Sequence, residues 1–168
     1  QEFNKWFTNK VVEDKHLLSC TVLTNFTCNM ACPYCYQEGF QNGLFMRKDT
    51  AKQTCEWLQD RMERYDMEKL ELIFLGGEPM LNPDAVRFFS KQMWERCRAL
   101  GAEFESRIVT NGVLITPEIV DELKNYGLIE VKVTLDGDRE ANDKKRIFKG
   151  GKGSYDIIMQ RLESIAGR

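Results

Sequence analysis

Apolar runs of six to eight residues alternate along this chain with longer stretches whose apolar positions recur at helical spacing. Residues 17–24 (LLSCTVLT) form a run of strand formers. Residues 49–65 carry Ala51, Cys55, Leu58, Met62 and Tyr65 on one helical face, and Thr50 with Gln53 matches a capping box. A second run, LELIFL at 70–75, reads as a buried strand and stops at Gly76-Gly77-Glu78-Pro79. Asn82-Pro83 then supplies an N-cap and a first-turn proline, and Val86, Phe89, Met93, Cys97 and Leu100 form the next stripe before Gly101 stops it. The unit repeats with a strand over 104–110 ending in Asn111-Gly112 and a helix from Thr116-Pro117 to Gly127. A fourth strand, LIEVKVTL at 128–135, runs into Asp136-Gly137. A polar loop is expected up to Gly153, after which Ser154 caps a last helix that turns Ile158, Leu162 and Ile165 inward. At the start, Phe3, Trp6 and Phe7 suit one face of a short helix, and Val11-Val12 a small strand.

Strand and helix in alternation imply an α/β fold with a parallel sheet and right-handed crossovers. Alternation alone fits an open sheet as well as a barrel. The unusual residues have a common placement. Residues 28–35, 76–79, 110–112 and 136–137 each follow the C-terminal end of a strand. In parallel α/β folds that edge is the ligand-binding face.

Residues 28–36 read Cys28-Asn29-Met30-Ala31-Cys32-Pro33-Tyr34-Cys35-Tyr36, three thiols in C-x3-C-x2-C spacing. Thiolates this close repel one another unless a proton, a disulfide or a metal compensates their charge. Soft sulfur ligands suit zinc or an iron–sulfur cluster. Structural zinc takes four protein ligands, and no later C-x2-C or H-x3-H pair completes this set. Three thiolates on a cubane cluster would leave one iron open to another ligand. The rival chemistry is a redox pair, Cys32-Pro33-Tyr34-Cys35, but such motifs open a helix, and Gly39 and Gly43 follow closely. Cys20, Cys55 and Cys97 fall on strand or helix stripes and read as packing.

Composition narrows the classes. The chain has 168 residues, 42% hydrophobic and 30% charged, with a net charge of −2, which suits one globular domain and gives no field for nucleic acid or an anionic membrane. No run reaches the ~18 apolar residues of a membrane span. Six cysteines without regular spacing do not form a secreted disulfide framework, so a cytoplasmic setting is expected. His16 is the only histidine, which removes histidine-based triads. Gly150-Gly151-Lys152-Gly153-Ser154 lacks P-loop spacing and reads as a flexible lead into the last helix. The basic run from Arg139 to Lys152 is diluted by Asp138, Glu140 and Asp143 and reads as solvated loop.

Taken together, C-x3-C-x2-C with Tyr34 before the last cysteine, Gly76-Gly77-Glu78-Pro79, Thr110-Asn111-Gly112 and Thr134-Leu135-Asp136-Gly137 resemble the radical S-adenosylmethionine enzymes. Cys35-Tyr36, Asn142-Asp143, Arg146 and Gly153-Ser154-Tyr155 look most like the peptide- and protein-modifying branch, the SPASM-type sulfatase and thioether peptide maturases. The resemblance implies the first four units of a partial (β/α)6 TIM-like barrel. It implies a [4Fe–4S] cluster on Cys28, Cys32 and Cys35, with S-adenosylmethionine chelating the open iron. Gly76, Gly77, Glu78 and Pro79 would hold the methionyl amino group through backbone carbonyls and the Glu78 carboxylate, and Tyr34 would present its backbone to adenine. Asn111, Thr134, Asp136 and Arg146 would serve the ribose and carboxylate. The implied chemistry is reductive cleavage to a 5′-deoxyadenosyl radical that abstracts hydrogen from a peptide or protein, with flavodoxin or ferredoxin as electron donor.

The family core has six strand–helix units and four are visible. Residues 1–168 are therefore expected to be one incomplete core domain, with 1–18 as a lead-in and no catalytic acid or base assignable. The fourth strand would leave an apolar edge through which copies associate.

Overall fold

The computed structural model describes residues 16–40 and 43–168. The elements expected at Phe3, Trp6, Phe7, Val11 and Val12 lie outside the described residues. Four strands, β1 (Leu17–Leu23), β2 (Lys69–Leu75), β3 (Glu103–Thr110) and β4 (Leu128–Val133), form one sheet in sequential order. Every neighbouring pair is parallel, as the alternation required. Helices α1 (Lys48–Arg64), α2 (Pro83–Leu100) and α3 (Pro117–Lys124) connect the strands, and α4 (Arg139–Lys145) and α5 (Tyr155–Ile165) follow β4.

The sheet has two unlike faces. Leu70, Leu72 and Phe74 of β2 and Ile108 of β3 are fully buried, in one cluster with Leu58 and Met62 of α1 and Phe89 and Met93 of α2. The Phe74 and Phe89 rings meet at 6.2 Å, tilted by 57°. Truncating a side chain such as Leu72 to alanine here costs about 2–5 kcal/mol. On alternate residues the strands carry charge. Arg107 lies among Glu71, Glu105 and Glu130, and Lys69 Nζ is 2.7 Å from Glu105. The run 70–75 is thus buried on one face and ion-paired on the other, so its period of two decides the strand more than its apolarity does.

Helix starts differ from the expected caps. Helix α1 begins at Lys48 with Arg47 in the N-cap position and no side-chain cap, so Thr50 and Gln53 form no capping box there. Asn82 occupies the N-cap of α2, but its amide donates to the Thr24 carbonyl at 2.9 Å, joining the β1 exit to the β2 exit. Ser154 does not cap α5. Asp143 accepts from the Tyr155 N–H at 2.8 Å, while Ser154 Oγ donates to the Arg146 carbonyl at 2.7 Å. The polar loop contains a helix, α4, opened by Asp138 accepting from the Ala141 N–H. It carries no apolar stripe and is pinned by Asn142, which is fully buried. Residues 148–153 form a hydrogen-bonded turn rather than a flexible lead, with Phe148 N–H on the Lys152 carbonyl and Gly151 N–H on that of Phe148.

Candidate cluster and cofactor site

All four strands deliver their exits to one end of the sheet. A cavity of about 230 Å³ there is lined by Cys28, Cys32 and Cys35 from the β1 exit, and by Gly76, Gly77 and Glu78 from the β2 exit. Thr110 and Asn111 from the β3 exit, and Thr134 and Arg146 beyond β4, close the other side. Four segments far apart in sequence share one wall, as the strand-end placement predicted for the first three; beyond β4 the lining is Thr134 and Arg146 rather than residues 136–137.

The cysteine loop has no regular structure of its own, so other segments hold it. The Asn25 carbonyl accepts from the Gly77 N–H at 3.2 Å, and the Thr27 carbonyl from the Glu78 N–H at 2.8 Å. This approach demands glycine. A Cβ on Gly77 would overlap the Thr27 backbone, and one on Gly76 (φ +156°) would lie 2.7 Å from the Asn25 carbonyl oxygen. Asn25, 1% exposed, donates to the Glu78 carbonyl at 2.8 Å and accepts from the Thr27 N–H. On the far side, the Ala31 N–H reaches the Ile147 carbonyl at 2.7 Å, and Met30 bridges Phe148.

The thiols sit among donors. Cys28 Sγ accepts from the Met30 N–H at 3.4 Å and from Asn111 Nδ2 at 3.7 Å. Burial raises the Cys28 thiol above its ordinary value, opposed by the Met30 N–H; burial also raises Cys32, opposed by the Arg146 guanidinium. Among the described residues no three thiol, carboxylate or imidazole groups gather as ligands of a single ion. A cubane binds each thiolate at a different iron, so three sulfurs spread around one cavity suit it. The redox alternative fares worse: after Cys35 come turns and a single 3₁₀ turn, Glu38–Phe40, with no α-helix whose N-terminus would acidify Cys32.

The remaining expected residues divide. Tyr34 Oη donates to Asp136 Oδ2 at 2.5 Å and accepts from Arg146 Nη1 at 2.9 Å. Arg146 is 7% exposed rather than part of a solvated basic run, and its Nε is buried without a hydrogen-bond partner. A guanidinium among the residues that line a cavity suits an anionic ligand such as a carboxylate. Thr134 lines the cavity, whereas Asp136 does not and meets it only through Tyr34 and Arg146. Pro79 is buried and starts the 3₁₀ turn Pro79–Leu81, outside the lining. Glu78 is fully buried, and its carboxylate accepts from Met80 N–H, Thr110 Oγ1 and Asn111 N–H. Burial raises its pKa, and those three donors and Arg146 oppose the rise.

Sequence reasoning missed Met30, Gln37, Leu75 and Val109, which also line the cavity. Leu75 and Val109 end apolar strands and resemble any core residue. Asn25 was missed as the joint between loops, although a polar residue directly after an apolar run was its signal.

The fold and the site define a class, and comparison with known proteins agrees. The sequence profile of the Radical SAM superfamily matches residues 22–168, and the chain belongs to that family. It is 31% identical over 142 residues to the mycofactocin maturase MftC of Mycolicibacterium smegmatis, covering 84% of this chain and 32% of that protein. It is 33% identical over 149 residues to the Fe-coproporphyrin III synthase of Methanosarcina barkeri, covering 85% of this chain and 33% of that one. The fold superposes on native anSMEcpe with bound AdoMet and Kp18Cys peptide at a TM-score of 0.71, with 22% identity over 88% of this chain and 40% of that chain. The chain spans about a third of the length of the curated relatives it matches. Among the described residues, no helix is long and apolar enough to cross a membrane.

Proposed function

We propose that this chain is the cluster-binding part of an enzyme that modifies a peptide or protein. Cys28, Cys32 and Cys35 would hold a [4Fe–4S] cluster. The observation that carries the reading is the convergence of these three thiols with the Gly76-Gly77 backbone and buried Arg146 on one cavity. When bound, the cluster supplies the electron that cleaves S-adenosylmethionine reductively, releasing methionine and a 5′-deoxyadenosyl radical that takes hydrogen from the substrate.

The chain's own residues divide the binding. The carbonyls of the residue 76–77 turn would accept from the cofactor's amino group, and the Arg146 guanidinium would donate to its carboxylate. Tyr34 and Asp136 hold the guanidinium in place, and Thr134 and the Tyr34 backbone face the nucleoside. Asn111 sits nearer the cluster than the ribose, because its side chain is engaged by Asn29 and Cys28. A peptide substrate is supported by the likeness to MftC, which is named a maturase. A low-potential donor such as flavodoxin or ferredoxin, and a cytoplasmic setting, follow from the chemistry.

Anaerobic reconstitution tests this. The expected product is brown, absorbs broadly near ~400 nm and holds about four irons per chain. Colourless protein with one zinc, or with no metal, overturns it.

A further inference from the structure

Resting on the cluster assignment to Cys28, Cys32 and Cys35, we propose that Glu78 is a positioning residue for Cys28, acting through Asn111. The carboxylate has its donors already. Oε1 accepts from Met80 N–H at 3.0 Å and from the Thr110 hydroxyl at 2.7 Å, and Oε2 accepts from Asn111 N–H at 2.8 Å. The side chain has no exposure to solvent, and its three donors come from the exits of two neighbouring strands.

The geometry shows what the carboxylate does. It fastens the turn after β2 to the loop after β3, and that loop continues to the cluster. Asn111 accepts from the Val113 N–H at 3.0 Å through Oδ1, which fixes the side chain. Its Nδ2 then donates to Asn29 Oδ1 at 2.8 Å and reaches Cys28 Sγ at 3.7 Å. From the other direction, the Glu78 N–H holds the Thr27 carbonyl, one residue before Cys28. One residue thus grips Cys28 twice, by its backbone through Thr27 and by its carboxylate through Asn111. Hydrogen bonds to ligating sulfur tune a cluster's potential, and the partners that aim them govern metal retention.

Glu78→Gln separates the two roles. Glutamine keeps the shape but presents an amide NH2 where one or more of the three donors point. The test reads the reconstituted protein before any S-adenosylmethionine is added. The positioning role predicts about tenfold weaker iron retention under chelator challenge, together with altered g-values of the reduced cluster by electron paramagnetic resonance. A direct amine ligand would leave iron content and the cofactor-free spectrum as in wild type and weaken only cofactor binding; that result overturns the proposal. Thr110→Val removes one donor to Oε1 at constant volume and supplies the same reading should Glu78→Gln not fold. A smaller change of the same kind is expected, and an unchanged spectrum again overturns it. Wild-type protein that takes up no iron defeats the cluster assignment and this proposal together. Wild type that loads normally beside a spectrally identical Glu78→Gln defeats this proposal alone.

Discussion

Cys28 and Cys97 are the same side chain in opposite settings. Cys97 lies on the inner stripe of α2, fully buried, with its thiol 3.7 Å from the Met62 sulfur. Burial pushes its thiol up to about 12, and that of Cys55 on α1 to about 11. Cys28 is half-buried, and desolvation raises it too, but a backbone N–H and an amide are aimed at its sulfur. Burial alone therefore does not distinguish a packing thiol from a ligand. Donors directed at the sulfur do, because they stabilise a thiolate and have no purpose against a neutral S–H in a core.

The largest effect that tests this contrast is loss of metal. Cys28→Ala, Cys32→Ala and Cys35→Ala each should retain almost no iron after reconstitution, whereas Cys55→Ala and Cys97→Ala retain the wild-type amount. The core variants should lose only ~0.5–3 kcal/mol in denaturant unfolding. Full iron in Cys28→Ala would break the comparison and return Cys32 and Cys35 to the redox reading.

Next in size is Arg146→Ala. Removing a buried charged donor worth about 1.5–3 kcal/mol should weaken S-adenosylmethionine binding by about 10- to 100-fold in an equilibrium titration. In the metal-free protein it should also slow alkylation of Cys32, whose thiol burial raises and the guanidinium partly offsets, and leave Cys55 unaffected.

Alkaline pH sharpens the contrast from the core side. Cys55 and Cys97 have folded pKa values raised from 9.0 to about 11 and about 12. Both thiols are neutral in folded and unfolded chains below pH 9, so their contribution is fully present there. Above it the unfolded chain releases protons first, and stability is lost as pH rises towards 11–12. Urea midpoints across that window should fall less steeply in Cys97→Ala than in wild type.

A smaller effect concerns association. Among the described residues β4 pairs only with β3, and Ile129 is 52% exposed. Sedimentation should show concentration-dependent self-association that Ile129→Lys reduces. A monomer at all concentrations would count against that edge. Smallest of all, Arg139→Ala breaks a surface ion pair with Asp156 and should change stability by less than ~0.5 kcal/mol.

Much of this was written in periodicity. The strands, the three linking helices and the core placement of Cys55 and Cys97 follow from alternation and helical stripes. The convergence of four strand ends follows from parallel topology. What stayed hidden depends on long-range polar contacts. Helix α4 shows no stripe because Asn142, a polar residue, is what it buries, with its amide 3.3 Å from Ser154 Oγ. Arg146 was legible as a motif residue, but its burial was not, because its partner Tyr34 lies in another loop. Glu78 was legible as a motif residue, yet its three donors come from residues 80, 110 and 111, and no local pattern reveals that its carboxylate joins two strand exits.

The bond from Ala31 to Ile147 also has a consequence for biosynthesis. The thiols leave the ribosome early, but the backbone carbonyl that secures their loop is made more than a hundred residues later. At about 5–20 residues per second, that interval is on the order of ten seconds. During it the nascent chain displays three cysteines on an unsecured segment, open to oxidation or to adventitious zinc. Delivery of iron and sulfide to the proposed cluster site should therefore be more productive once Ile147 has emerged.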